Sequence, residues 1–127
     1  MATDTATTED RVALERVALD YLEGWFDGDV TRMERALHPE LCKRSLDPDA
    51  AGSESLKTFT ASQMIGWTAE GLGRTRDVPD RRIEVDVEDV FDTIANVTVR
   101  SAVYREYLQL VRTDAGWKIA NAMWQRV

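Results

Sequence analysis

The residues best suited to chemistry in this sequence are one histidine, a few tyrosines and a few carboxylates that interrupt apolar patterns. His38 is the only histidine. It titrates near neutrality and could act as acid, base or ligand anchor. Its place at the end of a short helical segment equally suits a plain C-terminal cation. Proton transfer beside a carbonyl needs a carboxylate base and an oxyanion donor inside an apolar pocket. Glu106 shares strand parity with Tyr104 and Leu108, and Asp89 interrupts the apolar parity of its own strand. The candidate catalytic set is therefore His38, Tyr104 and Glu106, with Tyr107 as an alternative donor. Asp20 and Glu23 fall outside the apolar stripe of their helix. No carboxylate sits inside an otherwise apolar pattern strongly enough to claim a raised pKa.

Binding candidates come from the aromatic residues. Tyr21, Trp25 and Trp67 would line any cavity between helices and sheet, a setting suited to a flat apolar ligand. The competing reading is that these rings simply fill a core. Trp117 shares a face with Ile119 and reads as core.

Other chemistries lack their residues. One histidine, with Glu34 and Glu40 nearby, gives no metal-ligand spacing, and no metal is expected. There is no G-x-S-x-G, no Walker loop and no dinucleotide fingerprint, so no cofactor is expected. Gly71-Leu72-Gly73 follows a helix rather than a strand. Glu84, Asp86 and Glu88 read as a solvated strand face. Cys42 is the single cysteine; it has no intramolecular partner and reads as a small buried or half-buried apolar residue.

The 127 residues suffice for one domain, and 43% hydrophobic with 31% charged content allows one core. A net charge of −7 argues against nucleic acid. Arg74, Arg76, Arg81 and Arg82 are interrupted by Asp77 and Asp80. The N-terminus lacks the pattern of a signal peptide, and no run approaches a membrane span. A cytoplasmic location is expected.

The elements that position these residues follow from periodicity. Residues 1–7 read as a frayed tail. Thr7 or Thr8 caps a helix reaching about Asp27, with Leu14, Val17, Ala18, Tyr21, Leu22 and Trp25 on one stripe. Gly24 within it suggests close packing. Asp29 caps a short second helix carrying Val30, Met33 and Leu37, stopped by His38-Pro39. Leu41–Leu46 and Lys57–Phe59 read as short strands around a 47–55 loop. Thr60-x-x-Gln63 fits a capping box opening a third helix with Met64 and Trp67. Beyond a second loop the period becomes two. Ile83, Val85, Val87 and Phe91 share one face. Asp92-Thr93 is a turn. A second strand begins with Ala95, Val97 and Val99, and a turn or bend near Ser101–Tyr104 reverses the parity. Residues 113–116 form a hairpin turn before a final strand from Trp117. Helices first and hairpin strands after imply an α+β fold with an antiparallel sheet.

Tyr21–Leu41, reading YLEGWFDGDVTRMERALHPEL, resembles the helix 1–helix 2 signature of NTF2-like proteins. More narrowly, the chain is similar to the small bacterial family described as "putative lumazine-binding". Its members carry Y-x-x-G-W/Y-x-x-G-D, a short helix ending in H-P, a Y-L-x-L strand and a closing G-x-W-K-I strand. Here these are Tyr21–Asp29, His38-Pro39, Tyr107–Leu110 and Gly116–Ile119. Asn121 and Trp124 fall where that family has a polar residue and an aromatic. The resemblance covers about residues 9–126. It implies a cone of helices over a curved sheet, with His38 near the mouth and a homodimer through the sheet. The ligand-binding set becomes Tyr21, Trp25, His38, Trp67, Tyr107 and Asn121. It leaves three functions open: binding an unidentified small molecule, an isomerase, cyclase or dehydratase activity, or protein interaction.

Overall fold

The computed structural model describes residues 4–46 and 55–127. Helix α1 spans Thr8–Asp27 and α2 spans Val30–Ala36. Strands β1 (Leu37–Leu46) and β2 (Leu56–Phe59) precede α3 (Ala61–Ala69). A 3-10 turn, Gly73–Arg76, leads to β3 (Glu84–Phe91), β4 (Ile94–Arg100), β5 (Tyr104–Thr113) and β6 (Gly116–Arg126).

The caps follow from the sequence. Thr7 and Asp10 form a reciprocal capping box on α1, and Thr60 with Gln63 does the same on α3. Asp29 caps α2 by accepting from the Arg32 amide at 3.1 Å. Gly28 ends α1 in the left-handed conformation at φ 67°, where a β-carbon costs energy. Residues 4–7, expected to fray, are tied down: the Thr5 amide donates to Val90 O at 2.7 Å, and Thr5 Oγ1 accepts from the Asp92 amide at 2.8 Å.

The six strands form one sheet in the order β2-β1-β6-β5-β4-β3. Its pairings are antiparallel except β1–β6, which is parallel, so the sheet is mixed rather than wholly antiparallel. The helices cover one face. Leu14, Ala18, Tyr21, Leu22 and Phe26 from α1 and Met33 from α2 pack there against Val97, Val99, Leu108, Leu110 and Ile119. Among the described residues, nothing helical covers the other face. No helix among the described residues is long and apolar enough to cross a membrane.

Three irregularities decide which residues face the helices. In β3 the register shifts between Val87 and Asp89, leaving Glu88 unmatched. Val90 thereby becomes fully buried, while Phe91, expected to share the face of Val85 and Val87, is 52% exposed. In β6, Gln109 pairs with Asn121 but Leu110 pairs with Ile119, so Ala120 is the extra residue. A bulge residue switches every later side chain to the opposite face. Along β1 the partner jumps from Leu37↔Ile119 to Cys42↔Asn121, and His38–Leu41 bow out of the ladder. The strand thus starts at Leu37, earlier than the expected Leu41, and α2 ends at Ala36.

Candidate functional site

The inner face carries a buried polar cluster beneath a wall of aromatic rings. Strand alternation places Tyr104, Glu106 and Leu108 of β5 inward. The same rule on β1 places Leu41, Lys43 and Ser45 inward. Tyr21 of α1 reaches down between these strands. Its hydroxyl donates to Glu106 Oε1 at 2.6 Å and accepts a hydrogen bond from Lys43 Nζ. Lys43 Nζ also lies 3.5 Å from Glu106 Oε1. Tyr21 and Glu106 are each 2% exposed and Lys43 is 6%. Three polar groups this deep persist because they satisfy one another.

The electrostatics follow from that burial. Loss of water pushes the Tyr21 hydroxyl well above its ordinary range, and the neighbouring Glu106 pushes it further, so its proton stays in place. Burial pulls Lys43 down, and Glu106 only partly opposes it. Both contacts to Glu106 use Oε1. Oε2 makes no hydrogen bond among the described residues.

Above this floor the aromatic rings run continuously from α3 to α1. Trp67 meets Phe59 edge-on at 5.4 Å, and Phe59 meets Trp124 at 6.2 Å. Trp124 meets Tyr104 edge-on at 5.6 Å, and Tyr104 stacks on Phe26 at 5.8 Å. Lys43 Nζ sits 5.0 Å from the ring centres of both Tyr21 and Trp124, within cation–π range. Trp25 Nε1 donates to the Tyr104 hydroxyl at 3.1 Å. Gly73 lets the 3-10 turn close over α1, since a β-carbon there would overlap the Trp25 carbonyl and ring. Among the described residues the Tyr104 O–H has no acceptor, and the buried Trp124 Nε1 has no hydrogen-bond partner.

The candidates from sequence separate into two groups. Tyr21, Tyr104 and Glu106 come together with Trp25 and Trp67 in this region. Tyr107 and Asn121, expected at the ligand site, lie on the outer face. Tyr107 has the parity opposite to Glu106 and is 54% exposed. Asn121 follows the Ala120 bulge, which turns it outward and turns Trp124 inward. Asn121 Nδ2 there donates to Gln109 Oε1 at 3.1 Å, and Gln109 reaches Asn96 at 3.4 Å. His38, expected near the mouth, lies in the bowed part of β1 and accepts the Glu40 amide on Nδ1 at 3.0 Å. No hydrogen bond among the described residues links it to Glu106 or Tyr104. Asp89 is exposed.

Lys43 and Phe59 complete the region without having been singled out as site residues, and Trp124, noted only as the family's aromatic position, joins them. Lys43 was legible in principle, because it shares parity with Leu41. Trp124 was not, because simple alternation from Ile119 points it outward. Asp20 also differs from expectation. Although outside the apolar stripe, it is only 4% exposed, held by Arg32 at 2.9 Å and Arg35 at 2.9 Å from α2. That cluster fastens α2 to α1. No group of three or more metal-ligating side chains occurs among the described residues.

The family described as "putative lumazine-binding" matches residues 9–125, and the chain belongs to it. None of the curated proteins matches the chain. Among solved structures it is similar to an NTF2-like protein of unknown function from Silicibacter pomeroyi, at 14% identity and TM-score 0.73, covering 97% of this chain and 100% of that one. A second NTF2-like protein of unknown function, from Methylobacillus flagellatus, matches at 15% identity and TM-score 0.71, covering 100% and 99%. A ketosteroid isomerase-like protein from Erwinia carotovora atroseptica matches at 14% identity and TM-score 0.67, covering 95% and 98%. These likenesses establish the NTF2-like fold.

Proposed function

We propose that this member of the "putative lumazine-binding" family binds a small, flat aromatic molecule in the ring-walled end of the cone, between the helices and the sheet. The observation that carries this reading is Trp124 Nε1, a buried donor left without an acceptor amid Phe59, Tyr104 and Lys43. An unmet buried donor costs stability unless something else meets it. The Tyr104 O–H and Glu106 Oε2 add a donor and an acceptor to the same region. A flat heteroaromatic ring with both acceptors and donors on its edge fits that set. The family name makes lumazine the first probe. Calorimetric titration should give saturable binding, weakened about 3- to 10-fold in Trp124→Phe, which keeps the ring and loses the N–H. The reading fails if neither lumazine nor a panel of flat bicyclic heteroaromatics binds at about 1 mM.

A second reading is proton transfer next to a carbonyl, as ketosteroid isomerase-like chemistry requires. It is favoured by one arrangement: a buried carboxylate with one oxygen committed to Tyr21 and Lys43 and the other free. Glu106 Oε2 would take the proton, and the Tyr104 O–H would donate to the developing oxyanion. His38 and Tyr107 have no place in it. The assay is conversion of a β,γ-unsaturated ketone to its conjugated isomer, followed by ultraviolet absorbance. Turnover that survives in Glu106→Gln would sink this reading.

We also infer a homodimer through the outer sheet face. Support comes from Tyr107 and Met123, 54% and 46% exposed on a face that no helix of the described residues covers. A groove of about 560 Å³ runs between them, lined also by Cys42, Arg44 and Thr98. A monomer in sedimentation at micromolar concentration would count directly against it.

A further inference from the structure

We infer that the molecule bound in the cone is an anion, whose negative group is held at the mouth by Arg76 and Arg126. This inference rests on the pocket reading above and names the class of its ligand.

The placement of both arginines is fixed by the fold. Arg126 is the cross-strand partner of Tyr104. It follows Trp124 by two residues, past the bulge, so alternation sets it on the same face as that ring. The Val127 amide donates to Val103 O at 2.9 Å and pins the end of β6 beside the start of β5. Arg76 ends the 3-10 turn that Gly73 seats on Trp25. Burial pushes the Tyr104 hydroxyl pKa up; the hydrogen bond from Trp25 opposes that rise most, Glu106 adds to it, and the charges of Arg126 and Arg76 pull it down by less.

The charge balance at the mouth then singles these two out. The carboxylates nearby are already committed among the described residues. Asp27 and Asp77 pair with Arg81 at 2.6 and 2.8 Å, and Glu106 pairs with Lys43 on the floor. Arg76 and Arg126 make no ion pair among the described residues, and both are exposed. A chain of net charge −7 therefore presents two unneutralised cations at the rim of its aromatic region, above the paired Lys43 and Glu106. Guanidinium forks match a carboxylate or phosphate in both charge and shape. A neutral flat ligand would leave both forks unused. A planar carboxylate or phosphate ester would place its rings among Trp25, Phe59, Tyr104 and Trp124 and its charge between the arginines.

The test is a matched pair of probes, 2-naphthoate and the neutral 2-naphthylmethanol, titrated calorimetrically at low salt. The anion should bind about tenfold tighter or more. The Arg76→Gln/Arg126→Gln double variant should abolish that preference while leaving the neutral probe unchanged. Arg16→Gln, on the exposed side of α1, should leave both affinities as they are. Equal binding of the two probes by the native protein would overturn the inference and leave the pocket reading standing. So would a loss in Arg16→Gln as large as that in the double variant, which would trace the preference to overall charge. Binding of neither probe would remove both.

Discussion

The two faces of the sheet are made by the same strands and have opposite chemistry. The inner face buries a lysine, a glutamate and a tyrosine in contact with one another, under five aromatic rings in series. The outer face shows an amide ladder, Asn96–Gln109–Asn121, with exposed Tyr107 and Met123 beside it. Inward polar groups are expensive and so must be partnered, whereas outward ones meet water at little cost. The open groove of about 560 Å³ lies on the outer face, yet the unusual electrostatics lie on the inner one. Groove size alone would therefore direct attention to the surface without the buried charges.

The sharpest way to break this contrast is Lys43→Met, which leaves Glu106 buried without its cation. We expect a loss of about 3–5 kcal/mol in urea denaturation, a large part of a typical domain's stability. Adding Glu106→Leu should recover much of it. A double variant as unstable as the single would mean the pair is not the source.

Gly73→Ala comes next. The new methyl would overlap the Trp25 carbonyl and ring, so about 1–3 kcal/mol should be lost as the 3-10 turn shifts. Trp25 fluorescence should change with it. An unperturbed, equally stable variant would show that this wall is loose.

Asp20 tests the fastening between α1 and α2 that holds the inner face in place. Burial raises its pKa, but hydrogen bonds from Arg35 and Arg32 outweigh burial and bring it below the ordinary value of 3.8. The folded pKa lies below the unfolded one. Asp20 therefore stabilises the fold above the unfolded value, and the contribution is lost as pH falls through the folded value. Stability should drop below about pH 4, and Asp20→Asn should show a shallower acid limb in thermal melts. Parallel curves would assign the acid sensitivity elsewhere.

The smallest effect on folding is expected outside. Tyr107→Glu should change monomer stability by no more than about 0.5 kcal/mol, yet dissociate the inferred dimer in sedimentation. A strongly destabilised Tyr107→Glu monomer would erase the contrast between the faces.

Much of the fold was legible because its signals are local. Thr7, Asp29 and Thr60 cap helices through their own side chains, and Asp92-Thr93 and residues 113–116 are turns whichever strands they join. The parity of Tyr104, Glu106 and Leu108 also read correctly, which is why Glu106 could be placed facing the helices. The bulges were not legible. Nothing in the composition around Glu88 or Ala120 distinguishes an unmatched residue from a matched one; only the partner strand decides. Asn121 and Phe91 were misplaced for that reason, and Trp124 was noted as an aromatic position without being placed on the inner face. The parallel β1–β6 pairing joins residues some 80 positions apart, a relation that short-range patterns do not carry. Lys43 was missed for a different reason: lysine is expected outside, and only its partners on α1 and β5 make an inward position tolerable.

The unmatched Ala120 has one more consequence, for how relatives of this chain should be compared. Removing that single residue would restore plain alternation and leave every later side chain on its present face, Trp124 and Arg126 inward and Met123 and Gln125 outward. Keeping the residue but pairing it regularly would do the opposite and exchange the two sets. A homologue one residue shorter here therefore presents the same inner face, whereas one of equal length without the bulge presents the opposite one. An alignment that closes or misplaces the gap would pair inward-facing columns with outward-facing ones.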